Sequence, residues 1–286
     1  MFENVKIKIA NRIKEGELEK KLKSNLENKY VDGEQWFKKP ELWYELTAFS
    51  NPYITVYSEL VLLIKNSEII SNLLSDHTLV FYGLGTGDTE IILVRPLLDV
   101  DKNLDIVGIE VQSRFIDGFV QSLENVSLED DKYKINFLGI NGLFQDVEKK
   151  DLEMNDKKQA HIILGNTVGN FREKEIFGIF NKLMNKDDIL LVGFQTDKNI
   201  EKIFKQYADN KMFNNFIRKT VPNCKKLEWV FNKGEEQIEA WSDDILVFHS
   251  KKKSEESMRK TTGDFGFENL YEVSDNNSCI QISKKI

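Results

Sequence analysis

Residues 79–88 read Leu-Val-Phe-Tyr-Gly-Leu-Gly-Thr-Gly-Asp. A short apolar run is followed by glycines at alternate positions, then by an acid that opens a helical stretch. An apolar run of this kind suits a strand buried on both faces. Glycines belong where the backbone turns sharply and must approach a ligand with no Cβ in the way. The amides at the start of the next helix then face that ligand. The spacing is GxGxG. The dinucleotide fingerprint GxGxxG would require glycine at position 88 or 90, where Asp88 and Glu90 stand. Acids there would repel a pyrophosphate, whereas S-adenosylmethionine has no phosphate and tolerates them.

Working outward, apolar runs alternate with helical stretches. Leu79–Tyr82, Ile106–Val111, Tyr133–Ile140, His161–Leu164 and Ile189–Phe194 read as strands, and the segments near 88–98, 113–124 and 172–184 read as helices. This βαβ alternation predicts an α/β fold with a parallel, doubly wound sheet. Glu110 closes the second strand, where a carboxylate can accept both ribose hydroxyls of an adenosine. Residues 199–220 read as one or two helices and 226–248 as a hairpin. Residues 268–274 and 279–283 form a closing antiparallel hairpin, which is how class I methyltransferase sheets end; a dehydrogenase sheet usually ends on another parallel strand. Upstream, the apolar positions Val5, Ile7, Ile9 and Ile13 are ambiguous between helix and strand. Residues 30–57 are dense in aromatics, as expected of a packed cap or a pocket wall. Residues 58–74 read as one helix with Ser58 as its N-cap.

Composition narrows the classes. The 286 residues carry a formal net charge of −7 with acids spread along the chain, which argues against a nucleic-acid partner. Cys224 and Cys279 show no CxxC spacing, and the histidines form no metal-binding pattern, so neither a disulfide framework nor a metal is expected. No apolar run is long enough to span a membrane, and the first residues are too charged for a signal peptide, so a cytoplasmic location is expected.

The segment Ile162-Ile-Leu-Gly-Asn-Thr-Val-Gly-Asn-Phe171 resembles the motif that follows the fourth strand in the histidine-specific methyltransferase family. Leu84-Gly-Thr-Gly-Asp-Thr-Glu90, Gly108-Ile-Glu-Val111, Glu41-Leu-Trp-Tyr-Glu-Leu-Thr47, Asn51-Pro-Tyr-Ile-Thr55, Gln237-Ile-Glu-Ala240 and Ser254-Glu-Glu-Ser257 fit the same family in the same order. The resemblance implies a class I methyltransferase (Rossmann-like) sheet, here 76–198 with 257–286. It also implies a substrate-binding lid built from the N-terminal residues 1–75 and an insertion, 199–256. The implied activity is S-adenosylmethionine-dependent N-methylation of histidine or another small amino-acid-like amine, with S-adenosylhomocysteine as product. A non-catalytic methyltransferase-like binding protein and a nucleotide-dependent oxidoreductase are the alternatives.

Site residues follow from the loop and the resemblance together. Gly83, Gly85, Thr86, Gly87, Glu110, Gly142 and Phe144 are expected at the cofactor, and Tyr53, Asn170, Tyr207, Glu255 and Ser257 around the substrate. Asn170 and Tyr207 would be the residues nearest the reaction. On the residues alone, Asn170 suits a helix cap as well as a ligand. Tyr207 equally suits a core position, and Glu255 and Ser257 a solvated loop.

Overall fold

The computed structural model describes residues 4–14, 16–31, 33–50, 54–130 and 132–286; Tyr53, expected at the substrate, lies outside them. The chain runs β1 (Val5–Asn11), α1 (Glu17–Glu27), α2 (Pro40–Ser50), α3 (Ile54–Lys65), α4 (Ser67–Leu74), β2 (Thr78–Tyr82), α5 (Asp88–Val100), β3 (Asn103–Glu110), α6 (Ser113–Ser127) and β4 (Lys134–Asn141). It continues through α7 (Lys149–Leu152), β5 (Gln159–Ile163), α8 (Glu173–Leu183), β6 (Ile189–Gln195), α9 (Ile200–Ala208), α10 (Lys211–Thr220), β7 (Glu228–Asn232), β8 (Gln237–Ser242) and β9 (Ile245–Lys251). It ends on α11 (Glu255–Asp264), β10 (Phe267–Ser274) and β11 (Ser278–Lys285).

The central sheet has the order β1-β4-β3-β2-β5-β6-β11-β10, with β11 antiparallel to β6 and β10 antiparallel to β11. From β4 to β10 this is the class I methyltransferase order. The strands are short, apolar and wholly buried where they are central: β2, β5 and β6 have no exposed residue. Helices cover both faces, as a sheet that is apolar on both sides requires. One core layer joins Leu79, Phe81 and Ile106 to Leu93, Leu97 and Phe119. The other joins Val80, Tyr82 and Val107 to Phe177 and Phe180.

The expected lid of residues 1–75 needs correction at both its ends. β1 pairs in parallel with β4, from Val5 opposite Ile135 to Asn11 opposite Asn141, and so extends the central sheet. Val5, Ile7 and Ile9 alternate as in a strand, and on this edge strand only Val5 of the three is buried. At the other end, Leu62 and Leu63 of α3 and Ile70 and Leu74 of α4 are buried in the sheet's own core. The second unit is assembled instead from α1, the 3-10 turn Gly33–Phe37, α2, α9, α10 and the antiparallel sheet β7-β8-β9. It has a separate core, in which Leu22, Val31, Trp36 and Leu46 meet Tyr207, Phe213, Phe216, Ile238 and Phe248. Trp36, Phe37 and Trp43 of the aromatic-rich stretch belong to this core. Asn166 ties the two units together: its amide nitrogen donates to Ser250 Oγ of β9 at 2.9 Å, and its amide oxygen accepts from the Gln195 backbone at 2.9 Å.

Candidate active site

The loop after β2 owes its shape to its glycines. Gly83, Gly85 and Gly87 have φ of 78°, 52° and 79°, the left-handed region that other L-residues avoid. Gly87 has a second reason to be glycine, because a Cβ there would sit 2.9 Å from the ring of Phe119 on α6. Gly85 faces open space, with nothing within 4 Å of where a Cβ would stand. A side chain at this point would fill the cradle that the loop leaves free.

Glu110 sits beside this loop. Its carboxylate accepts the Gly85 amide at 3.3 Å and the Gln112 amide at 3.1 Å. The residue is buried, and burial pushes its carboxyl up to about 7 even though those amides pull the other way. Glu90, in the first turn of α5, is pushed up to about 8 by burial, its own backbone amide opposing and the charges of Glu59, Asp88 and Glu110 adding to the rise. Glu59 of α3 accepts the Gly165 amide at 2.8 Å and is raised by burial to about 7.

The carboxyl ends of the strands open onto a cavity of about 660 Å³, within the usual range for a small-molecule site. Gly83, Gly85, Thr86, Glu110, Val111 and Phe144 line one part of it, and Asp88, Thr89 and Glu90 continue along the start of α5. Glu34, Phe37, Trp43, Tyr44, Thr47 and Tyr57 come from the N-terminal turn and helices, while Gly165, Thr167, Asn170 and Phe171 follow β5. Asn170 is buried, and its amide oxygen has no hydrogen-bond partner among the described residues. A buried acceptor without a partner is uncommon, and this one belongs to a residue that lines the cavity.

Several expected residues are placed elsewhere. Gly87 and Gly142 support the cavity without lining it; the Gly142 amide donates to the Glu110 carbonyl at 3.0 Å and so ties the tips of β3 and β4. Tyr207 is fully buried in the second unit's core, where its hydroxyl donates to Gln195 Oε1 at 3.0 Å and its ring packs on Phe213 and Phe248. Glu255 opens α11 and bonds Lys198. Burial would raise its carboxyl, but Lys198, Ser274 and its own backbone outweigh that and hold it at about 2. Ser257 donates to Glu236 Oε2 at 2.6 Å and accepts from Lys253 Nζ at 3.1 Å. Neither Glu255 nor Ser257 reaches the cavity. Among the described residues expected around the substrate, only Asn170 lines it.

Lining residues not expected at the site include Glu34, Phe37, Trp43, Tyr44, Tyr57, Asp88 and Glu90. For the aromatic ones the density of residues 30–57 was the signal, in its pocket-wall sense.

The profile of the family described as histidine-specific, SAM-dependent methyltransferases matches residues 38–240, well over half of the chain. The chain belongs to this family. It is a SAM-dependent methyltransferase, and its fold and glycine loop are those of the class. Among curated proteins none matches it. Among solved structures it is similar to a SAM-dependent methyltransferase from Thermotoga maritima described as a possible histamine N-methyltransferase. That match has 11% identity and a TM-score of 0.45, covering 86% of this chain and 100% of that one. A SAM-dependent methyltransferase from Methanosarcina mazei matches at 13% identity and a TM-score of 0.46, over 76% of this chain and 97% of that one. The glycopeptide N-methyltransferase MtfA, solved with S-adenosylmethionine, matches at 10% identity and a TM-score of 0.44, over 78% of this chain and 87% of that one.

The cavity fits the methyl donor on its own evidence. The open cradle at Gly85 and the buried Glu110 carboxyl beside it could accept the ribose of an adenosine. The three raised carboxyls also make free-protein stability depend on pH. Below the ordinary value of 4.5 the folded and unfolded chains both hold these protons; up to 7 or 8 only the folded chain does. Stability contributed by these groups therefore falls as pH rises. Buried His161 and His249, lowered to about 3 and about 4, work oppositely but only below their ordinary value of 6.5. The thermal midpoint of the unliganded protein should thus fall between about pH 6.5 and about pH 8.5, and Glu90→Gln should flatten that slope. A wild-type midpoint that is level or rising across this range in a thermal scan would contradict these ionisations.

Proposed function

We propose that the chain methylates the nitrogen of a small amine, histidine or another amino-acid-like amine being the class carried by the family's description. The observation that supports this most is the unpartnered amide oxygen of Asn170, buried on the wall of the same cavity that the glycine loop lines.

The loop from Gly83 to Thr86 and the Glu110 carboxylate would hold the donor's adenosine, with Val111 and Phe144 on the apolar ring. S-adenosylmethionine supplies, when bound, a methyl group on a sulfonium that departs as a neutral thioether. The chain's part is alignment and exclusion of water. Asn170 Oδ1 accepts an N–H of the acceptor amine and so fixes where its lone pair points. Phe37, Trp43 and Phe171 keep water from the reacting atoms. The nitrogen gains one methyl and gives up one proton to solvent, so charge is conserved. Neither a nucleophilic side chain nor a metal enters this scheme.

Asn170→Ala is expected to lower kcat/KM about tenfold, the value of one hydrogen bond to the acceptor. Calorimetry should show the affinity for S-adenosylhomocysteine unchanged. Equal losses in both would mean that the Asn170 side chain serves the local fold of the loop after β5 rather than the acceptor.

A further inference from the structure

The stretch from Ser254 to Ser257 does not reach the cavity; it stands at the root of the insertion. The chain leaves the sheet after β6 and returns to it just before α11. At that crossing Lys253 lies beside Thr196, and its amide donates to the Gln195 carbonyl at 3.3 Å. Lys253 is 6% exposed, and a buried ammonium is costly unless acceptors surround it. Glu173 Oε1 lies 2.7 Å from its Nζ, and Glu236 Oε2 lies 3.3 Å from it. The Ser257 and Thr261 hydroxyls each accept from it at 3.1 Å. Ser257 also donates to Glu236, and Ser254, which caps α11, accepts the Ser257 amide and holds it in place.

The two carboxylates belong to different units. Glu173 opens α8, shortly after the Asn170 turn. Glu236 ends the turn between β7 and β8 of the second unit. It has a φ of 50°, a region that a residue with a Cβ enters only where its surroundings hold it. The Lys253 ammonium holds its side chain, and the Lys252 amide holds its carbonyl at 2.7 Å. One buried charge thus binds a carboxylate from each unit. Without it, the same two carboxylates would repel across the seam. The cavity is built across that seam, with Thr167 and Asn170 on the sheet's side and Glu34, Phe37 and Trp43 on the other. Gly33 and Asn170 touch there: a Cβ on Gly33 would stand 2.7 Å from the Asn170 carbonyl oxygen.

We infer that Lys253 closes the second unit onto the sheet and is a positioning residue for methyl transfer, acting through the seam at Asn170. Lys253 does not line the cavity. The donor's part of the cavity, Gly83 to Thr86 with Glu110, belongs to the sheet unit, so donor binding should be indifferent to this joint. The effect on turnover rests on the N-methylation reading above, with the acceptor at Asn170. The effect on the seam does not.

Lys253→Met keeps the stem and removes the charge. Three quantities are measured on the full-length protein: S-adenosylhomocysteine affinity by calorimetry, amide hydrogen exchange, and transfer of a labelled methyl to histidine and to histamine. Affinity should stay within about twofold of wild type, the joint lying outside the donor's part of the cavity. Exchange should quicken at 33–37 and 166–170 and stay level in β2 and its loop. The value of kcat/KM should fall about 10–100-fold, the scale of a displacement of about 1 Å at the reacting atoms. Adding Glu236→Gln to Lys253→Met removes the repulsion and should recover most of the loss, and Lys253→Arg should keep most of the activity. Should Lys253→Met not fold, Glu236→Gln alone decides, with the same pattern in weaker form. Level exchange at the seam in the folded variant, or a loss that Glu236→Gln does not relieve, would overturn the inference. An equal fall in donor affinity would overturn it too, making Lys253 a support of the whole fold. Quickened exchange at the seam, with a wild type that methylates neither probe, would leave the joint standing and sink the histidine-like acceptor.

Discussion

Replacing Glu110 by alanine should weaken S-adenosylmethionine and S-adenosylhomocysteine binding by about 1–3 kcal/mol, or roughly 5–150-fold, the range for charge-assisted hydrogen bonds to hydroxyls. The carboxylate is positioned for this by the Gly85 and Gln112 amides, at 3.3 and 3.1 Å. Two effects must be separated, because the same bonds shape the glycine loop. Folding buries this carboxyl and raises it to about 7, so at higher pH its ionised form costs the free protein stability. Its removal therefore relieves desolvation while orphaning two amides, and these oppose each other in the thermal midpoint. In donor affinity there is no such opposition, because losing the acceptor for the hydroxyls and losing the two amide bonds that shape the loop both weaken binding. Calorimetry at about pH 8 should show the affinity loss with only a small change in midpoint. Wild-type affinity in a folded variant would remove Glu110 from the donor site.

What the sequence revealed was what local pattern controls. The buried strands announce themselves as apolar runs, and Gly83–Gly87 marks the turn because only glycine takes those φ values there. The place of Glu110 at the end of β3 was legible from the glycine loop, the interval after it and the acid that closes the second apolar run. The closing hairpin, β10 to β11, was legible from two strand-like runs around the turn 275–278. The helix expected over 58–74 is instead α3 and α4, parted at Asn66, and Ser58 lies inside α3, bonded to Asp275, rather than capping it. Tyr207 was legible in the other sense: Ile200, Ile203 and Tyr207 share one face of α9 at helical spacing, a core stripe. Glu255 was not legible, because what captures it is Lys198, brought close by the folding of the insertion rather than by any nearby residue. The same holds for Glu34 and Trp43, whose approach to Asn170 and the glycine loop is a matter of how two separately cored units meet. Asn166 and Gly169 show why the motif after β5 is so specific. Asn166 joins the units through Ser250, and a Cβ on Gly169 would stand 2.9 Å from the Asn166 amide. Much of the motif thus serves packing, and Asn170 serves the cavity.

Gly193→Ala should be the most damaging small substitution in the sheet. A Cβ on this residue of β6 would stand 2.2 Å from Glu59 Oε2 and 2.7 Å from its Cδ. Glu59 cannot simply swing away. It is 2% exposed, and its other oxygen accepts the Gly165 amide at 2.8 Å. Moving it would break that bond and displace the turn that carries Gly165, Thr167 and Asn170 onto the cavity wall. Overpacking costs about 1–3 kcal/mol, and a lost hydrogen bond to a charged group about 1.5–3 kcal/mol more. A loss near 4 kcal/mol is therefore expected in denaturant unfolding, with methyl transfer falling alongside it. The cause can be isolated by a double-mutant cycle. Glu59→Ala removes the obstructing oxygen, so Gly193→Ala made in that background should cost only about 1 kcal/mol, with a coupling of about 3 kcal/mol between the two sites. Simple additivity would place the damage in the strand itself, where alanine is ordinarily tolerated, and would free Glu59 from the part given to it here.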